Sequence, residues 1–300
     1  MGAIVVGTSS WADPGFVKHW YPNGLAARER LPFYAQRFEV VELNSSFYAT
    51  PPRDNVERWN QVTPEGFRFH VKLHRLLSWH ATKPDALPPD MRDGLELNSR
   101  GNVVRNEELQ REMVKRMAES MQPLDKAGKL GAYLLQLSPA FRPRDCKLEE
   151  LDPILDGFAP HPVAVEFRYR AWMKEKRRRD VFSYLGDHDA VYVSVDAPLA
   201  EHVPIMPPID AVTDRRLAYM RCHGRNERGY MSGRTVAERF DYDYPDDELE
   251  EIADRARALA DDADEAHVLF NNNARELAPK AARRMRQLLG QDPGPEPGER

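Results

Sequence analysis

The stretch VAVEFRYR (163–170) decides the fold. Val163–Phe167 is a short apolar run rich in valine, the composition of a strand buried on both faces, and it gives way to charge at Glu166 and Arg168. Side chains alternate across a strand, so Glu166 and Arg168 share one face. Seven further runs have the same character: Ile4–Gly7, Val40–Asn44, Phe67–Lys72, Ala132–Gln136, Val191–Val195, Ala218–Cys222 and His267–Phe270. Amphipathic stretches such as Leu31–Phe38, Val181–Leu185 and Leu249–Leu259 lie between them. Strands alternating with helices make βαβ units and a parallel sheet. Open doubly wound sheets usually stop near about six strands, so eight runs predict an α/β protein built as a closed, TIM-type (β/α)8 barrel.

The interval from Lys72 to Ala132 predicts a longer insertion after strand 3. It holds a Pro-rich loop (Pro84, Pro88, Pro89) and then a helix opening at Asn106. Asparagine is a good N-cap, Glu107 and Glu108 suit a first turn, and Leu109, Met113, Met117 and Met121 recur at i, i+4 spacing as core packing. Residues 1–290 are expected to form a single barrel domain. Residues 291–300, with three prolines and two glycines, are expected to form a disordered tail.

Composition narrows the function classes. Hydrophobic residues make up 41% of the 300, enough for a sizeable core, and a net charge of −5 argues against a broad nucleic-acid or membrane footprint. No apolar run approaches the roughly 20 residues that span a bilayer. The start of the chain reads as a strand rather than a signal peptide, and Cys146 and Cys222 are too far apart to suggest a disulfide framework. A cytoplasmic location is therefore expected. The sequence leaves the oligomeric state open.

The polar residues that end the runs carry the functional reading. The ends include Thr8-Ser9, Glu42 and Asn44, Lys72, Gln136, Glu166 and Arg168, Asp196, Arg221 and His223, and Asn271-Asn272. Barrel enzymes place their sites at strand C-termini. Glu42 pairs in parity with Asn44, and Arg221 with His223, so these groups can converge in the lumen. The competing reading is a set of structural ion pairs, three anions (Glu42, Glu166, Asp196) against three cations (Lys72, Arg168, Arg221).

Blocks across the chain also resemble a known family: GTSSW (7–11), HWYP (19–22), VELNSSFYATP (41–51), FRFHVK (67–72), LLQLSPAF (134–141), VAVEFRYRAW (163–172), VDAP (195–198), YMRCHG (219–224) and FNNNARELAPKAA (270–282). In this order they resemble the YecE-like family, catalogued as domain of unknown function 72. The resemblance implies a βα-barrel and leaves the activity open. Ser10, Ser46 and Ser138 stand where that family usually has Gly, Thr and Pro. A histidine after the third strand corresponds to His80 with the register shifted by one.

The leading expectation is an enzyme, with hydrolysis slightly ahead, acting by general acid–base catalysis on a small polar or anionic substrate. Glu42 and Glu166 would be the acid–base pair, with Lys72 and His223 completing the catalytic set. Asn44, Gln136, Arg168, Asp196, Arg221 and Asn272 would position the substrate, with Trp11 and Tyr48 at its edge; for Trp11, Trp20 and Trp172 the alternative is loop packing. Glu42, Glu166, Asp196 and His223 are hard donors that leave a divalent metal open. Phosphate-loop and dinucleotide motifs are absent, so no nucleotide cofactor is indicated. Nucleophilic catalysis ranks lower, since no GxSxG elbow exists and alternation turns Cys222 away from His223. A nucleic-acid partner using the cationic ends and the KEKRRR run (174–179) is a second reading, and a metabolite-binding or scaffold barrel a third.

Overall fold

The structure, a computed structural model, describes residues 2–200, 205–233 and 235–296. Eight parallel strands close into a barrel in chain order: β1 Ala3–Thr8, β2 Val40–Leu43, β3 Arg68–Lys72, β4 Leu130–Gln136, β5 Val163–Glu166, β6 Val191–Asp196, β7 Ala218–Cys222 and β8 Glu265–Phe270. Each coincides with one apolar run, differing by a residue or two at the ends. The helices are α1 Pro14–His19, α2 Ala27–Ala35, α3 Arg53–Val62, α4 Glu107–Lys126, α5 Asp152–Phe158, α6 Glu175–Asp187, α7 Glu227–Ser232, α8 Val236–Arg239, α9 Asp246–Asp262 and α10 Leu277–Leu288.

Local chemistry sets the elements where the sequence signals them. The Asn106 side chain caps α4 by accepting from the Leu109 amide at 2.8 Å. Met113, Met117 and Met121 are fully buried beneath that helix. Residues 73–129, which join β3 to β4, otherwise contain short 3-10 turns at Pro84–Ala86 and Pro89–Met91. No helix among the described residues is long and apolar enough to cross a membrane. Residues 291–296, which fall in the stretch expected as a tail, lie against the barrel. There Gln291 Nε2 donates to the Ile4 carbonyl at 2.7 Å, and the Glu296 carbonyl accepts from Arg37 at 2.9 Å. The last four residues of the expected tail lie outside the described residues.

The ring of strands is uneven. β1 runs alongside β8 through six register pairs, whereas β1 and β2 meet in register only at Thr8 and Val41. The approach there is close: a Cβ on Gly7 would lie 2.2 Å from the Val40 carbonyl oxygen. A side chain from α2 completes the joint. The Tyr34 hydroxyl accepts from the Thr8 amide at 2.9 Å and donates to the Val40 carbonyl at 2.9 Å. Tyr34 is fully buried, so neither backbone group has water as a substitute. Tyr34→Phe is therefore expected to destabilise the protein by about 1–3 kcal/mol, the usual cost of a buried group left unpaired, as read from urea unfolding. A loss within experimental error would show that the joint relaxes to direct strand pairing.

Candidate active site

The lumen is filled by side chains that climb β7 with a period of two. Tyr219, Arg221 and His223 share parity, all are buried, and each meets partners from other strands. At the lowest level the Tyr219 ring lies 4.7 Å from His70, which pairs with His267 at 2.7 Å. His267 in turn pairs with Glu265 at 2.9 Å.

Arg221 occupies the middle level. Its Nε and Nη2 donate to Glu42 at 2.9 and 2.6 Å, a bidentate pair. Its Nη1 donates to Gln136 Oε1 at 2.8 Å and also to Glu166 Oε2. The Tyr219 hydroxyl adds a bond to Glu42 Oε2 at 2.9 Å. Above Arg221, Glu166 Oε1 accepts from Arg168 Nη1 at 2.9 Å and pairs with His223 Nε2 at 3.2 Å. The Asn271 amide donates to His223 Nδ1 at 2.9 Å, which places the ring proton on Nε2, facing Glu166.

These contacts fix protonation states. Burial pushes the Glu166 carboxyl upward, but Arg221, His223 and Arg168 together outweigh it and hold the group well below the usual carboxylate range. Burial lowers His223 to about 4 against the pull of Glu166, so the imidazole is neutral near pH 7. Arg221 is raised: burial opposes its charge, and Glu42 and Glu166 more than offset that. Glu42 and Glu166, expected as an acid–base pair, are thus tied to one guanidinium, and Arg221, expected to grip substrate, is fully buried between them.

Lys72 stands apart. It ends β3, its backbone carbonyl is held by Ser46 Oγ at 2.6 Å, and its side chain is only partly buried. The ammonium lies 4.9 Å from the centre of the Phe47 ring. Among the described residues it makes no hydrogen bond or ion pair. Burial first, then the Arg221 charge, lowers its pKa from 10.5 to about 8, with Glu42 and Glu166 pulling the other way. The same Phe47 ring receives the edge of His80 at 4.9 Å and lies 5.7 Å from the Arg75 guanidinium. His80 Nδ1 pairs with Ser78 Oγ at 2.9 Å, and burial together with the Lys72 charge lowers the ring to about 4. Trp79, between them, is a non-glycine residue in the left-handed region at φ 61°, packed on Phe141 at 4.7 Å and on Arg105 at 3.8 Å. Such backbone strain costs about 1–3 kcal/mol and gathers at functional sites.

Other expected residues lie apart from this cluster. Asp196 is held on the helix side of the barrel by Arg225 at 2.7 Å, Arg255 at 3.1 Å and the Tyr244 hydroxyl at 2.6 Å. Asn272 donates to the Tyr242 carbonyl at 2.8 Å, so it is the neighbouring Asn271 that touches His223. Asn44 donates to the Ser9 carbonyl at 2.5 Å and leaves Oδ1 buried without a partner among the described residues. Trp11 packs edge-on against Trp59 at 5.3 Å, Trp20 lies within an aromatic cluster, and Trp172 stacks on Phe141 at 5.2 Å, all as loop packing. Tyr48 is 62% exposed with its ring against Phe47 at 5.0 Å. The 174–179 run opens α6 as a mostly solvated face, with Arg179 paired to Glu175. Cys222 is buried on the side of Asp196, opposite His223. Among the described residues, no three His, Cys, Asp or Glu side chains gather as metal ligands would.

Sequence reasoning missed Tyr219, whose parity with Arg221 was available, and Phe47 and Arg75, which only folding brings beside Lys72. Tyr230 was also missed, and its hydroxyl is buried without a partner among the described residues.

The fold is that of a TIM-type (β/α)8 barrel, with a buried carboxylate–guanidinium cluster at the strand C-termini and a lysine amine beside it. The chain is a member of the family described as "Protein of unknown function DUF72", which it matches over residues 5–299. It is 29% identical to the UPF0759 protein YunF of Bacillus subtilis (strain 168) across 95% of this chain and 94% of that protein. The UPF0759 protein YecE of Escherichia coli (strain K12) is 29% identical across 47% of this chain and 40% of its own length. Among solved structures, a DUF72 family protein of Enterococcus faecalis V583 superposes with a TM-score of 0.77 at 25% identity, covering 96% of both chains. A DUF72 family protein of Thermotoga maritima MSB8 gives 0.75 at 25% identity, covering 96% of this chain and 100% of its own.

Arg221→Met leaves two buried carboxylates without their shared cation. It is expected to cost about 3–5 kcal/mol at pH 7 in urea unfolding. The sign with pH is fixed. In the wild type Glu166 has a depressed pKa, so its stabilisation is present above the ordinary carboxylate range and is lost as pH falls through the lower folded value. In the variant the buried carboxylates keep only Arg168, His223 and the Tyr219 hydroxyl as partners among the described residues, so they take up protons more readily than in the wild type and acid relieves the penalty. The gap between the two proteins should shrink below about pH 5, and a gap constant with pH would refute the pairing.

Proposed function

We propose that this protein is an enzyme that takes a small anionic substrate at the strand C-terminal mouth and moves a proton through Lys72. The observation that carries the reading is the charge balance. Two carboxylates, Glu42 and Glu166, face two guanidinium groups, Arg221 and Arg168, and Lys72 remains as a surplus cation, with Arg75 beside the same Phe47 ring. An anion offers that surplus the partner it lacks among the described residues. Arg168, whose Nη1 is engaged by Glu166, has further N–H groups with which to orient an anion.

The roles divide by environment. Glu42, Arg221, Gln136 and Tyr219 support the site, and His223, neutral and held by Asn271, orients Glu166. Lys72 does the acid–base work, because a pKa of about 8 leaves both of its forms populated near neutral pH. Delivery of the proton to or from a bound water gives hydrolysis, which requires the fewest further parts. Delivery to or from carbon gives isomerisation or lysis. Asn44 Oδ1 and the Tyr230 hydroxyl, both without partners among the described residues, are among the polar groups left to orient the substrate.

The test is a thermal-shift screen of phosphorylated and carboxylated metabolites. Ligands should raise the melting temperature of the wild type and lose that effect in Lys72→Met and Arg168→Gln. With a substrate in hand, kcat in Lys72→Met should fall by about 100-fold or more, and the wild-type rate should rise through pH 8 as the amine loses its proton. Full turnover in Lys72→Met ends the proposal.

Stability offers a check that needs no substrate. A lysine whose folded pKa lies at about 8, below its unfolded 10.5, leaves the unfolded chain binding more protons between those values. Wild-type stability therefore gains from rising pH across that window. Lys72→Met is expected to be the more stable protein at pH 7 in urea unfolding, with the advantage disappearing by about pH 10.5.

A further inference from the structure

Lys72 can do more than move a proton. Among the described residues its amine has no hydrogen-bond partner. The two carboxylates that could quench it are both bound to Arg221, through Nε and Nη2 to Glu42 and through Nη1 to Glu166. Its neighbours are an aromatic face, Phe47 at 4.9 Å, and a polar one in which Arg221 and Arg168 oppose its charge while Glu42 and Glu166, each already bound to a guanidinium, favour it. An amine kept unpaired beside positive charge at an apolar wall is the environment that turns lysine into a nucleophile.

We infer that Lys72 forms an imine with the carbonyl carbon of an anionic oxo compound, an oxo acid or a phosphorylated ketose or aldose, whose charged group lies against Arg168. This deepens the proposed function and rests on it, since it uses the same site and the same anion. The step balances without an oxidant or reductant. The Lys72 nitrogen pair adds to the carbonyl carbon, and a proton leaves nitrogen as the oxygen takes one up, giving a carbinolamine. The C–O bond then breaks, the hydroxyl leaves as water with a second proton, and the nitrogen pair closes C=N. A cationic imine between Phe47 and the nearby carboxylates is well placed to draw electrons from the adjoining carbon. The substrate class narrows accordingly from anions in general to anions that carry a carbonyl.

The experiment is reductive trapping of the whole protein with sodium cyanoborohydride, whose hydride reduces the imine to a stable secondary amine. Pyruvate and dihydroxyacetone phosphate are the anionic probes and dihydroxyacetone the neutral one, and adducts are located by peptide mass mapping. The expected result is one reduced adduct on Lys72 with either anionic probe, while surface lysines stay unlabelled at the same concentration. Inorganic phosphate should slow it. Lys72→Arg should abolish it. Arg168→Gln, which leaves Glu166 bonded to Arg221 and His223, should slow labelling by the anionic probes about tenfold and leave dihydroxyacetone unchanged. Labelling spread evenly over surface lysines, or Lys72 unlabelled by both anionic probes, overturns the inference. If Lys72 stays unlabelled while anions still raise the melting temperature through it, the imine fails and the acid–base reading stands. Loss of both effects in the folded wild type removes both.

Discussion

The rest of the site depends on one guanidinium. Arg221 is fully buried and its planar fork meets Glu42 from β2, Gln136 from β4 and Glu166 from β5 while it is itself anchored on β7. Only a side chain with several donors in one rigid plane can do this. A lysine there would offer a single point of charge and could not hold Glu42 with two parallel bonds while also reaching Gln136 and Glu166. The cross-ties join four strands through the lumen, so the geometry of the strand ends is set from inside the barrel as well as by the ladder around it.

That arrangement separates the charges that are fixed from the one that titrates nearest neutral pH. Glu166 is fixed as an anion, His223 as a neutral ring, and Arg221 as a cation; none of them titrates near neutral pH. Lys72 sits at the edge of the same field, pushed toward neutrality by burial and by the Arg221 charge. The Ser78–Trp79–His80 turn, strained at Trp79, places a second neutral imidazole beside it, against the same Phe47 ring. Among these groups Lys72 alone has a pKa near neutrality, above a floor whose carboxylates and guanidinium groups balance.

The barrel was legible in the sequence because burial on both faces forces apolar runs, and eight of them could be counted. The convergence of Glu42, Gln136, Glu166, Arg168, Arg221 and His223 was legible too, since strand parity and the C-terminal rule together specify a face. What parity could not supply was the partner of each group. Nothing in the sequence says that Glu42 and Glu166 share Arg221, because that pairing depends on shear around a closed ring. Asp196 ends its strand like the others, yet three groups from the helix side hold it away from the cluster. The Asn271–Asn272 choice could have been read from parity, since His267, which meets His70 in the lumen, shares a face with Asn271 and not with Asn272. Phe47 and Arg75 were invisible as site residues because their roles come from a short 3-10 turn and a loop that folding brings together.

The Tyr34 joint between β1 and β2 has a consequence beyond its own two hydrogen bonds. A closed barrel has no edges, which is how this architecture avoids presenting unpaired backbone to other chains. Here closure at one seam passes through a phenolic oxygen carried by α2 rather than through backbone alone. Loosening that helix would convert a sealed cylinder into a curved sheet with two exposed margins, each made of valine-rich strand. The helix thereby acts as a fastener, and the oxygen it delivers keeps both strand margins covered at that seam.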